Sequence, residues 1–175
     1  MKKLLIVFAL AFASVLSAAA GERGLIVSLD YERSNYDGQK YSNAFRLGAS
    51  YNIPDLSTGL FIRPQVSLNE RWGNTHADII GSWRIRYNST GMGIALKGGY
   101  RVYKYLELYT GPAVEWYFYN SHHAFSNGST YAFWEFGAGI PIQRFDIHAS
   151  YRLHLNTPEE YLEKNRWSIG VSYRF

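Results

Sequence analysis

From Leu25 onward the chain repeats one pattern: apolar residues at every second position, with small, polar or charged residues between them. A period of two marks strands with two different faces. Leu25, Val27, Leu29 and Tyr31 open the series, alternating with Ile26, Ser28, Asp30 and Glu32. Phe45, Leu47, Ala49, Tyr51 and Ile53 follow, then Leu60, Ile62, Pro64, Val66 and Leu68. Met92, Ile94, Leu96, Tyr100 and Val102 form the fourth segment, and Leu106, Leu108, Val114, Trp116 and Phe118 the fifth. The sixth is Ala132, Trp134, Phe136, Ala138 and Ile140, and the seventh Phe145, Ile147, Ala149, Tyr151 and Leu153. The last is the sharpest: Trp167, Ile169, Val171, Tyr173 and Phe175 alternate strictly with Arg166, Ser168, Gly170, Ser172 and Arg174. Turn-forming residues such as Pro54-Asp55 separate the segments. A further stretch, Ile79, Gly81, Trp83, Ile85 and Tyr87, alternates as well.

Alternation alone fits a half-buried sheet in a soluble domain. Composition changes that picture. The chain holds 15 Tyr, 10 Phe and 5 Trp, yet its mean hydropathy is −0.23. Aromatic-rich but not apolar overall is what a membrane barrel requires: one face of each strand meets lipid, the other a polar interior, and aromatic belts sit at both interfaces. Residues 1–20 read as a secretory signal. Lys2 and Lys3 supply the positive start, Leu4 to Leu16 the apolar core, and Ser17-Ala18-Ala19-Ala20 the small residues for cleavage between Ala20 and Gly21. The apolar run is shorter than the ~18–20 residues of a spanning helix, and no other long run recurs. Residues 21–175 are then one domain. Losing Lys2 and Lys3 takes the formal charge from +4 to +2, which argues against a nucleic-acid partner. The absence of Cys removes disulfides, thiolate metal sites and a Cys nucleophile.

The C-terminal strand resembles that of bacterial outer-membrane β-barrel proteins. In those, a terminal Phe and an aromatic residue two positions earlier form the signal read by the barrel-assembly machinery. Phe175 and Tyr173 stand at those positions, with Trp167, Ile169 and Val171 on the same face. The resemblance implies an all-β fold: an antiparallel up-and-down transmembrane β-barrel of eight strands. It implies the outer membrane of a Gram-negative bacterium and a monomer surrounded by lipid and lipopolysaccharide. It also implies the barrel-assembly machinery and periplasmic chaperones as partners in biogenesis. If both ends of the mature chain lie in the periplasm, the number of crossings is even. That places Glu70 to Thr90 in a long extracellular hairpin extending the third and fourth strands; ten strands is the alternative. Short turns near residues 54–58, at Lys104 and at 141–144 are expected on the periplasmic side. The longer polar connections Arg33–Asn43, Glu70–Thr90, Asn120–Ser129 and Leu155–Asn165 are expected outside.

The inward face carries Asp30, Glu32, Glu107, Glu115, Glu135 and Asp146 against Arg46, Arg63, Lys97, Arg101, Arg152 and Arg174. An eight-stranded lumen is barely wide enough for its own side chains. Equal numbers of acids and bases there predict a paired, hydrogen-bonded plug; a narrow ion path is the alternative.

Candidate chemistry is sparse. The stretch Trp134 to Thr157 is similar in layout to the penultimate hairpin of lipid A 3-O-deacylases, which carry His-x-Ser-Asn there and a Glu on the final strand. His154 matches. Asn156 stands where the nucleophilic Ser belongs, and the final strand opens Asn165-Arg166-Trp167 with no Glu. An amide cannot be the activated nucleophile of acyl transfer, and Thr157 has the opposite strand parity. His122-His123 lacks further ligands for a metal, and Ser126, His123 and Glu135 form a trio without a motif. Gly137-Ala138-Gly139 lies within a strand and reads as room for bulky lumen side chains. No cofactor or metal is implied. The first expectation is a non-enzymatic surface barrel acting through its long loops. The others are a lipid A-modifying acyl hydrolase and a narrow channel.

Overall fold

A computed structural model describes residues 24–36, 40–54, 58–77, 83–102, 105–120, 129–155 and 165–175. The expected export signal, residues 1–20, lies outside them. The strand segments are β1 (Leu25–Tyr36), β2 (Lys40–Tyr51), β3 (Ile53–Pro54), β4 (Leu60–Ala77), β5 (Trp83–Val102), β6 (Leu106–Asn120), β7 (Ser129–Ile142), β8 (Phe145–His154) and β9 (Asn165–Arg174). The short β3 continues β2 past Asn52, so the segments make eight staves. Every neighbouring pair is antiparallel. β1 pairs with both β2 and β9, and the β2–β4 ladder completes the ring. No edge is left along the barrel wall, as lipid demands, because lipid satisfies no backbone hydrogen bond.

The stagger of the wall follows from the registers. From Asp30 one path runs through Arg46, Asn69 and Gly91 to Tyr117. The other runs through Gly170, His148 and Gly139 to Glu107. The two ends lie ten residues apart on β6, so the strands tilt steeply.

The burial pattern is the reverse of a soluble protein. Ile62, Val66, Leu96, Ile140, Ile147 and Val171 are exposed, while Asp30, Arg46, Glu115, Glu135, Arg152 and Arg166 are buried. Apolar side chains meet lipid, and polar ones fill the lumen. Aromatic rings ring both ends. Tyr31, Phe45 and Trp72 follow one another at 5.8 and 5.3 Å, and Tyr151 meets Trp167 at 4.6 Å. At the opposite end Phe145, Tyr173 and Phe175 are spaced at 5.1 and 4.9 Å.

Two expectations about connections need correction or refinement. Arg33–Asn43 is not a long loop: the β1–β2 ladder continues through Arg33↔Asn43 and Ser34↔Ser42 to Tyr36↔Lys40. Its residues are mostly polar, yet the antiparallel ladder carries on as far as Tyr36↔Lys40. The further alternating stretch is not a crossing of its own. Trp83 to Tyr87 is the start of β5, paired with β4 from Ala77↔Trp83 downward. The β7–β8 turn is tight, with Gln143 in the left-handed region at φ 59° between Ile142 and Phe145.

Candidate functional site

The alternation points a polar side chain inward at every second position, and the tilt of the wall decides which of them meet. They form two layers. In the central layer Arg46 reaches Asp30 at 3.2 Å, Glu32 at 2.8 Å and Glu135 at 3.6 Å. Glu135 also binds Lys97 at 2.6 Å and Arg152 at 2.8 Å. Arg152 continues to Glu115 at 2.5 Å and Glu32 at 3.3 Å. Arg166 binds Glu115 at 2.6 Å, and His148 Nε2 lies 2.6 Å from Asp30 Oδ1. These side chains come from seven strands, so the layer ties together opposite walls.

The second layer lies toward the short turns. Glu107 accepts from Arg63 at 2.7 Å and from Arg174 at 3.1 Å, and also pairs with Arg101. Arg174 binds Asp146 at 2.9 Å, and Arg63 donates to Asn52 at 3.0 Å. Between the layers is a chamber of only about 30 Å³, lined by Ser28, Gln65, Lys97, Asp146 and His148 among others. That is room for about two waters.

Above the central layer sits an aromatic cap. Phe133 is fully buried, with the Arg166 guanidinium 4.2 Å and that of Arg152 5.6 Å from its ring. The Tyr117 hydroxyl donates to Glu115 at 2.8 Å, and Arg71 lies over the Tyr117 ring at 5.0 Å. Cations that face carboxylates on one side and aromatic rings on the other stay solvated by the protein in a dry interior.

Small residues make this filling possible. A Cβ on Gly137 would lie 2.1 Å from the Tyr109 ring. A Cβ on Gly170 would lie 2.4 Å from Asp30 Oδ1 and 2.7 Å from His148 Nε2. Gly170 therefore leaves the space that the Asp30–His148 contact occupies.

Each of the twelve charged residues assigned to the lumen has an ion-pair partner. The cluster also takes in Arg166 and His148, which the sequence reading left out although strand parity puts both inside. Arg166 stands at the start of β9. Parity does not say whether such a residue meets the packed interior or the wet rim; the stagger does.

A profile of the outer membrane protein beta-barrel domain matches residues 5–175. The chain belongs to this family. Among solved structures, this barrel is similar to the Yersinia pestis outer membrane protein Ail in a phospholipid bilayer nanodisc. The identity is 18%, over 88% of this chain and all of that one, with a TM-score of 0.52. Neisserial surface protein A aligns at 13% identity over 86% of this chain and 96% of its own, with a TM-score of 0.49. The outer membrane enzyme PagL aligns at 14% identity over 86% and 98%, with a TM-score of 0.42. Nothing among curated proteins matches the chain. At these identities the likeness to solved structures is one of fold.

The remaining candidates of this outer-membrane barrel fall as follows. The His154 ring packs 4.3 Å from Phe133 and 6.0 Å from Tyr131, on the inner side of the wall. Asn156 and Thr157 lie outside the described residues, as do His122, His123 and Ser126. Glu135, the third member of that trio, is committed to Lys97 and Arg152. Among the described residues no three His, Asp or Glu side chains are grouped to hold a metal. The terminal aromatic face Trp167, Ile169, Val171, Tyr173 and Phe175 points outward along β9. The Phe175 amide donates to the Leu25 carbonyl at 3.0 Å.

Proposed function

We propose that this outer-membrane barrel is non-enzymatic: a rigid mount whose filled lumen holds the wall and whose extracellular ends make the contacts. The observation that carries this reading is the pairing of all six inward carboxylates with cations inside the lumen. Groups held in this way by fixed partners have little freedom to shuttle protons or pass ions. His154 adds no argument for acyl hydrolysis, because its ring lies inside the wall while acyl chains lie outside it.

The extracellular reading rests on strand length. β4 and β5 run 18 and 20 residues, against 10 each for β8 and β9. Beyond Tyr41↔Asn74 on one side and Ser89↔Asn120 on the other, the β4–β5 ribbon rises on its own pairing to Ala77↔Trp83. It carries Arg84 opposite His76 and Arg86 opposite Asn74. This basic ribbon suits the phosphates of lipopolysaccharide. Residues 1–20 act as the export signal, the terminal strand is read by the assembly machinery, and the barrel works as a monomer.

Three measurements on the mature protein test this. Lipid A from overexpressing cells should keep its acylation by mass spectrometry. Planar bilayers should show no steady conductance. Shortening residues 74–87 should weaken binding to lipopolysaccharide while the barrel stays folded. Loss of a 3-hydroxyacyl chain that disappears in His154→Ala would falsify the non-enzymatic assignment, and stable channels would replace the plug with a pore.

A further inference from the structure

The lipid-facing wall is not uniform. On β4, β5 and β6 it is indented by a groove of about 860 Å³, lined almost entirely by carbon, with Leu60, Ile62, Gly98, Tyr100, Leu108 and Thr110 along it. Its cause is local. Gly98 points outward, and a Cβ built there meets nothing within 4 Å. Phe61 and Tyr109, whose side chains belong to the inner face, are buried beside it and also line it. A second indentation of about 550 Å³ takes in the next outward positions of the same strands: Pro64 and Val66, Leu96 and Ile94, Pro112 and Val114. The two share no lining residue, but they succeed one another along β5 from Tyr100 to Ile94 and make an interrupted furrow. Six residues at ~3.3 Å each make about 20 Å of strand, and a tilt near 40° projects this to about 15 Å along the membrane normal. That is the depth of one leaflet of a hydrocarbon core about 30 Å thick.

We infer that this furrow binds one acyl chain of a phospholipid from the periplasmic leaflet. The furrow is continuous with the lipid-contacting band: Ile53, Leu60, Ile62, Leu96 and Leu108 are all exposed around it, so what fills it comes from the bilayer. Its lower end, at Leu60 and Tyr100, is the end of the barrel where Pro54 and Val102 close their strands, and the leaflet rests on the reading that puts this end in the periplasm. Tyr100 and Tyr105, both exposed, stand there at headgroup level. A chain lying along a furrow of the wall touches protein on three sides, whereas one against a ridge touches it on one. Dispersion contacts therefore favour residence in the furrow over the rest of the perimeter.

The test uses the mature barrel in phosphatidylethanolamine–phosphatidylglycerol vesicles containing phosphatidylethanolamine with a photoactivatable group near the end of one chain. Adducts are mapped by peptide mass spectrometry. Labelling of the β4–β6 face should exceed that of the β8–β9 face several-fold. Gly98→Leu, which fills the furrow, should remove the excess. Ala149→Leu, on the opposite outer face, should leave it. Both variants are first checked for heat-modifiable migration. A photoactivatable lipid A, the lipid of the other leaflet, should show no excess at Gly98. An even adduct map in the wild type overturns the site without any variant. An excess that persists in folded Gly98→Leu overturns the furrow as its cause. Equal enrichment of lipid A overturns the leaflet.

Discussion

Glu135 is the residue on which the central layer turns. Fully buried, it binds Lys97 and Arg152, with Arg46 at 3.6 Å. Glu135→Ala leaves those cations without a common anion. Breaking a buried pair in this way costs about 3–5 kcal/mol. Urea unfolding in bilayers should report that loss. Arg101→Ala, at a rim position 37% exposed, should cost below about 1 kcal/mol, because Glu107 keeps Arg63 and Arg174. Equal costs would mean that the layer is not the stabilising unit described. A parallel contrast concerns glycines. Gly170→Ala forces a methyl onto the Asp30–His148 contact and should lose about 1–3 kcal/mol, whereas Gly98→Ala adds a methyl to open space and should be neutral. The same unfolding curves decide it.

At the scale of the element, β9 carries two separable messages. Its outward face is a lipid surface: Val171→Arg should cost about 2–4 kcal/mol in a bilayer. Ser172→Arg acts instead by crowding Asp146 in the lumen, where Ser172 now donates at 3.2 Å. If Val171→Arg is tolerated as easily as Ser172→Arg, the faces have been read the wrong way round. The terminus is the second message. Deleting Phe175 removes the last aromatic of the outward row and its ring contact with Tyr173, and should lead to periplasmic degradation. Finding normal amounts of heat-modifiable barrel in the outer membrane after the deletion would reject the assembly-signal reading. The β4–β5 ribbon behaves differently, since its upper rungs pair only with each other among the described residues. Shortening it should leave the unfolding midpoint unchanged.

For the whole molecule, the closed ring and its charged filling support each other. The wall lacks a hydrophobic core in the usual sense: among described residues the buried apolar cluster is confined to Ala113, Tyr117, Tyr131 and Phe133. Cohesion across the lumen is carried by charge-assisted hydrogen bonds between strands that are not neighbours in the wall, such as Arg166 with Glu115 and Lys97 with Glu135. Pairs buried from water are screened little by salt. The unfolding midpoint should therefore hardly move between 0.1 and 1 M salt, although the Debye length falls from about 10 to 3 Å. A large drop at high salt would place the stabilising charges on the rims.

Local chemistry alone determined the strands and their two faces. A period of two is a property of the extended backbone, and lipid on one side with polar groups on the other leaves it unmasked from Leu25 to Phe175. Topological parity then joined Trp83–Tyr87 to the fourth stave rather than to a crossing of its own. What the sequence could not determine was which inward charge meets which. Glu115 and Arg166 are 51 positions apart in the chain. They meet because the ladders accumulate a stagger of ten residues around the ring, and that sum over eight registers is written in no single segment. For the same reason the sequence does not place Arg166 and His148 in the network or reveal the furrow at Gly98; the extension of β1 and β2 depends instead on their own ladder continuing through polar residues. Parity assigns a side of the wall; only the closed, tilted ring sets the height at which a side chain arrives and what stands opposite it.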